Sequence, residues 1–134
     1  MFLLDTNACV AILNGTPRSV SDRLRAFEPR DIRLCSVVKA ELIYGAHKSS
    51  RAAQNLRHLD RLFASFISLP FDDACAQRCG AIREELERRG RPIGPNDLLI
   101  AATAVTHDLE LVTHNLIEFS NVLGLRVVDW EAHA

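Results

Sequence analysis

Residues 1–15 read MFLLDTNACVAILNG, and the order of residue types in this stretch decides the fold. Phe2, Leu3 and Leu4 form a short apolar run suited to a buried strand. Asp5 closes the run, Thr6 and Asn7 are good helix N-caps, ACVAIL carries helical apolar spacing, and Asn14-Gly15 is a stop signal. The stretch predicts strand, tight turn, helix. A strand that feeds directly into a helix pairs with its next strand through a crossover, which makes the sheet parallel.

The same grammar repeats along the chain. After Pro17 a helix carries Val20, Leu24 and Phe27 and ends before Pro29, and Ile32 to Cys35 reads as a second strand. Ser36 is a candidate N-cap for VVKAELIYGA, and residues 51–66 place Leu56, Leu59, Leu62, Phe63 and Phe66 on one helical stripe, so that these two helices form an arm. A short strand at 66–69 leads to Asp72, the cap of a helix that ends in Glu87-Arg88-Arg89, with cations at the negative end of its dipole. NDLLIAATAVTH (96–107) is apolar around most of its circumference and marks a central buried helix. Residues 109–113 form a strand, 115–119 a turn of helix, and 125–128 a last strand before Trp130. The expectation is one α/β domain over residues 1–134: three layers, α/β/α, around a parallel sheet of four or five strands.

Composition excludes several classes. With 134 residues, 48% hydrophobic and 25% charged, the chain matches an ordinary globular protein rather than a disordered, collagenous or coiled-coil one. The start has no basic region before a long apolar stretch, and no apolar run reaches the roughly 18 residues that span a bilayer, so a cytoplasmic protein is expected. Cys9, Cys35, Cys75 and Cys79 have no zinc-ligand spacing and read as reduced packing residues. The net charge of −1 conceals an asymmetry: through Arg91 there are 15 basic residues against 11 acidic, whereas beyond it Arg126 alone faces six acids.

In open α/β sheets the binding crevice lies at the carboxyl ends of the strands. Asp5 ends the first strand there, Thr113-His114-Asn115 ends the fourth, and Asp97 opens the central helix toward the same rim. Glu41 stands on a stripe otherwise made of Val37, Val38, Tyr44 and Gly45. Converging carboxylates repel unless they hold a proton or a metal, and hard cations with oxygen ligands, Mg²⁺ or Mn²⁺, suit them. Such a centre fits phosphodiester hydrolysis, because the ion neutralises the phosphate and lowers the pKa of a water. Each residue also has a plainer reading: Asp5 and Asp97 as helix caps, Glu41 as a solvated acid, Asn115 as a turn residue.

LLDTN (3–7), AELIYGA (40–46), GPNDLLIAATA (94–104), LVTHN (111–115), Glu118-Phe119 and GLRVVDW (124–130) together resemble, in order and over nearly the whole chain, the PIN-domain ribonucleases, and within them the VapC-like toxins of bacterial type II toxin–antitoxin systems. The resemblance implies a Mg²⁺-dependent endoribonuclease, restrained by a cognate antitoxin, with the toxin a homodimer and the pair a hetero-oligomer. Asp5, Glu41 and Asp97 match the family's acidic positions, as catalytic residues and metal ligands, with Asp5 and Asp97 the principal ones. Thr6, Asn7 and Ser36 fall where hydroxyls and amides hold carboxylates or a metal-bound water. A fourth acidic position aligns with Asn115, an uncharged departure that Glu118, three residues on, can repair if Asn115 starts a helical turn; otherwise Glu118 is a solvated side chain.

Arginine outnumbers lysine 14 to two, and guanidinium suits phosphate. Lys48, Arg51, Arg57 and Arg61 on the arm are a candidate RNA rim, with a solvated face or an antitoxin-docking face as the competing reading. Single-stranded loops of RNA are the expected target, and the resemblance suggests structured RNA such as tRNA. His114 reads as exposed or structural rather than as a general base, and Tyr44 and Phe119 read as packing residues. A weakened PIN scaffold that binds RNA or antitoxin without efficient cleavage is the alternative function, resting on Asn115.

Overall fold

Strand β1 (Phe2–Leu4) has both neighbours parallel to it: Phe2 pairs with Ile32 on one side, and Leu3 pairs with Leu111 on the other. In the computed structural model of the chain, which describes residues 1–132, the sheet is completed by β2 (Ile32–Cys35), β3 (Ile67–Leu69), β4 (Glu110–Val112) and β5 (Val127–Val128), in the order β3-β2-β1-β4-β5. Residues 133 and 134, the last two of the expected domain, lie outside the described residues. All four pairings are parallel, as the alternation of strands and helices requires. The chain moves outward from β1 to β3, then returns to β4 on the other side of β1, so the reversal falls at β1 and places the crevice above Asp5.

Seven helices cover the sheet among the described residues: α1 (Thr6–Asn14), α2 (Arg18–Arg25), α3 (Ser36–Lys48), α4 (Ala52–Ala64), α5 (Asp73–Arg88), α6 (Pro95–Thr106) and α7 (Leu116–Phe119). Gly15 ends α1 in the left-handed conformation, φ 70°, where a side chain would be strained. Asp72 caps α5 by accepting the Cys75 N–H, as its position predicts. Helix α6 buries Leu98, Ile100, Ala101, Ala102, Thr103 and Ala104, the central helix its composition describes. Trp130, 2% exposed, stacks on Phe27 and meets Phe2 edge-on, which pins the chain beyond β5 against β1. The core is continuous from Leu3 and Leu4 through Leu34, Ile100 and Leu111 to Phe119.

Several local expectations shift. The N-cap of α1 is Asp5, in line with its plainer reading, rather than Thr6 or Asn7, which stand inside the helix; its Oδ1 accepts the Ala8 N–H at 2.7 Å. Cys35, without a side-chain bond, precedes α3, and Ser36 is its first residue. Gly94 caps α6 and Pro95 starts it, since proline's fixed φ suits a first turn, so Asp97 is the third residue rather than the cap. Helix α2 stops at Arg25, before Phe27.

Candidate active site

Four carboxylates from four elements meet above β1. Asp5 leaves the end of β1, 5% exposed, with Oδ1 on the Ala8 N–H and the Thr113 hydroxyl beside it. That hydroxyl also accepts the Asn115 N–H at 3.0 Å, which couples the end of β4 to Asp5. Glu41, on α3, accepts the Thr6 hydroxyl at 2.7 Å and lines a cleft with Gly94, Asn96 and Asp97. Glu118, on α7, stands beside Asp97 and accepts from Asn115 Nδ2 at 2.9 Å.

The electrostatics follow from that crowding. Burial pushes the Asp97 pKa up to about 7, and the hydrogen bond and charge of Glu118, then the charges of Glu41 and Asp5, add to the rise. Burial also raises Asp5, against the lowering effect of the Ala8 N–H and Thr113, with Glu41 and Glu131 contributing repulsion. Among the described residues no Lys or Arg forms an ion pair with Asp5, Glu41, Asp97 or Glu118.

The structure places the sequence-predicted residues differently. Asp5, Thr6, Glu41, Asp97, Asn115 and Glu118 come together, with Glu118 on the rim beside Asn115 and Asp97. Ser36 lines the adjoining cleft with Thr6, Glu41, Tyr44 and Asn96, but makes no side-chain hydrogen bond among the described residues. Asn7 is exposed and holds no described carboxylate, because the second residue of α1 projects away from the strand end. Lys48, Arg51, Arg57 and Arg61 are all exposed and outside every ion pair among the described residues, whereas Arg25, Arg30, Arg83, Arg88, Arg89 and Arg126 are paired to acids.

Tyr44 corrects the packing expectation: it is 65% exposed, one turn beyond Glu41, with Lys48 Nζ 5.9 Å from its ring centre. Phe119 is buried, as expected. Asn96, Asn55 and His58 were not singled out in the sequence, yet Asn96 borders both clefts beside Glu41, and Asn55 and His58 line a groove with Thr6 and Glu41. Only Asn96 carried a local signal, its place next to Asp97. His114 is exposed and its Nδ1 lies 2.9 Å from Asp129, which raises its pKa, in keeping with a structural role.

A five-stranded parallel sheet ordered 3-2-1-4-5, with acids gathered at the carboxyl ends of its central strands, defines an α/β nuclease of the PIN class. The PIN domain family matches residues 2–123. The chain is 42% identical to the tRNA(fMet)-specific endonuclease VapC of Shigella flexneri over 131 residues, 96% of this chain and 97% of that protein. It is 37% identical to ribonuclease VapC2 of Rickettsia felis over 132 residues, 98% of each. Its fold superposes on the crystal structure of DNA-bound VapBC from Salmonella typhimurium with a TM-score of 0.90 at 37% identity, covering 96% of this chain and 97% of that one. The chain belongs to the PIN domain family and, within it, to the VapC ribonucleases. PIN nucleases generally use divalent metal ions, and the donor set fits one: oxygen ligands only, mutually repelling, with no cationic side chain paired to them among the described residues.

Proposed function

We propose that the chain acts as a single PIN domain that hydrolyses RNA phosphodiester bonds with Mg²⁺, for which Mn²⁺ can substitute, as the toxin of a type II toxin–antitoxin pair in the cytoplasm. The observation that carries this reading is the convergence of Asp5, Glu41, Asp97 and Glu118 on one rim with no Lys or Arg paired to them among the described residues. Asp5 and Asp97 would be the principal ligands, with Glu41 and Glu118 completing the set. When bound, the ion supplies neutralisation of the scissile phosphate and a water of lowered pKa. Thr6 fixes the Glu41 carboxylate, Thr113 and the Ala8 N–H fix Asp5, and Asn115 fixes Glu118, so the ligand geometry is set before substrate arrives. As the resemblance to PIN-domain ribonucleases implies, hydrolysis would leave a 5′-phosphate and a 3′-hydroxyl.

Tyr44 and Lys48 at the lip of the cleft, with Arg51 at the start of α4 and Arg57 and Arg61 on it, would receive single-stranded RNA, whose bases are free to stack and whose phosphates suit guanidinium. The name of the Shigella flexneri relative directs attention to the initiator tRNA. The VapBC structures direct attention to an antitoxin partner, and the toxin would be a homodimer within a toxin–antitoxin hetero-oligomer, as the resemblance implies.

Incubating the purified chain with total tRNA, in Mg²⁺ and in EDTA, and mapping new 5′ ends tests the proposal. Cleavage confined to the Mg²⁺ arm, with 5′-phosphate ends concentrated in one tRNA, is expected; intact RNA in both arms would contradict it.

A further inference from the structure

We propose that His114, Asp129 and Glu131 form a second metal site, suited to a borderline transition ion such as Zn²⁺ and sharing no ligand with the carboxylate centre. His114 follows β4, and Asp129 and Glu131 follow β5, the two strands being paired through Val112 and Val128. His114 Nδ1 lies 2.9 Å from Asp129 Oδ2 and 3.8 Å from Glu131 Oε2, and one ligand atom from each residue lies within 4.8 Å of the other two. Ligands about 2.0–2.2 Å from a tetrahedral Zn²⁺ stand roughly 3.3–3.6 Å from one another, so modest side-chain rotation closes the triangle on an ion.

Three further observations favour an ion over a plain ion pair. An ion pair needs one acid, yet two carboxylates face the same ring nitrogen. Asp129 is oriented in advance, because its Oδ1 accepts the Glu131 N–H at 2.8 Å and leaves Oδ2 toward the imidazole. Between the two acids, buried Trp130 is packed on Phe2 and Phe27, which holds both at fixed places on the rim. One imidazole with two carboxylates selects Zn²⁺ over Mg²⁺, which prefers an all-oxygen shell, and three protein ligands leave a position open. An ion here would tie the segment beyond β5 to the end of β4, where the Thr113 hydroxyl supports Asp5.

The test is a Zn²⁺ titration of the full chain in competition with a fluorescent chelator, with excess Mg²⁺ present to occupy the carboxylate centre. His114→Asn and Glu131→Gln alter side chains that are 63% and 31% exposed, and thermal melts check that both variants fold. One equivalent of Zn²⁺ is expected, weakened about tenfold or more in each variant and unchanged in Asp97→Asn. Unchanged affinity in His114→Asn and Glu131→Gln, loss of the equivalent in Asp97→Asn, or no binding by the parent chain would each overturn the proposal. None of these readouts depends on RNA cleavage, so the site stands or falls apart from the nuclease reading.

Discussion

At neutral pH about half of the Asp97 carboxyls keep a proton when no cation is bound, since burial and the neighbouring acids bring the pKa to about 7. Folding then takes up a proton between the ordinary carboxylate pKa and about 7. The stabilisation from this group is complete at low pH and disappears as pH rises through 7. Thermal melts in EDTA should therefore show the midpoint falling from about pH 5 to pH 8, and Asp97→Asn should flatten that slope. Parallel slopes for the two proteins would contradict the assignment. Because a metal must displace the proton, Mg²⁺ should raise the midpoint more at about pH 8 than at about pH 6. Residues that look alike in sequence part company here: Phe119→Ala should cost about 3–5 kcal/mol on denaturation, whereas exposed Tyr44→Ala should stay within about 0.5 kcal/mol. Apolar character identifies both as core candidates, but only the rotation of α3 reveals which one faces water.

Helix α7 is four residues long and exists at the rim to aim one side chain. Asn115 starts it and donates to Glu118, so a position that looks like a lost acid in the sequence is the support for the acid that reaches Asp97. Glu118→Gln should raise the Mg²⁺ concentration needed for half-maximal cleavage, and Asn115→Ala should raise it by less. An unchanged requirement in Glu118→Gln would remove that side chain from the centre. On the arm, removing Arg57 and Arg61 should weaken RNA binding and lower the salt dependence by about 0.7 in log–log slope for each lost phosphate contact. These elements were readable because strand-helix alternation and apolar spacing are local signals. The clefts were less so: Asn55 and His58 reach the groove only through the packing of α4 on α3, opposite α1, which no local spacing encodes.

Across the whole molecule, the charge asymmetry of the sequence becomes spatial. Asp97 and Glu118 come from the acidic end of the chain and join Asp5 and Glu41 from the basic part, while Lys48, Arg51, Arg57 and Arg61 of that part stand exposed on the arm. Parallel order brings this about, since a sheet of order 3-2-1-4-5 sets the ends of β1 and β4 side by side. Trp130 closes the sheet against Phe2 and Phe27, and Trp130→Ala should cost about 3–5 kcal/mol, read as a fall in melting midpoint of roughly 10 °C or more. The parallel sheet and the shared rim followed from strand–helix alternation and the acidic positions, whereas the order of the strands and the caps did not, because no local spacing encodes strand order and several capping residues compete within two positions of each helix start. The most direct test of the central claim is the single-turnover rate of RNA cleavage by the parent chain and by Asp97→Asn, each in Mg²⁺ and in EDTA. A metal-dependent rate that falls at least about a hundredfold in the variant, about 2.7 kcal/mol of barrier, is the predicted result; equal rates in the two proteins, or a parental rate indifferent to EDTA, would contradict it.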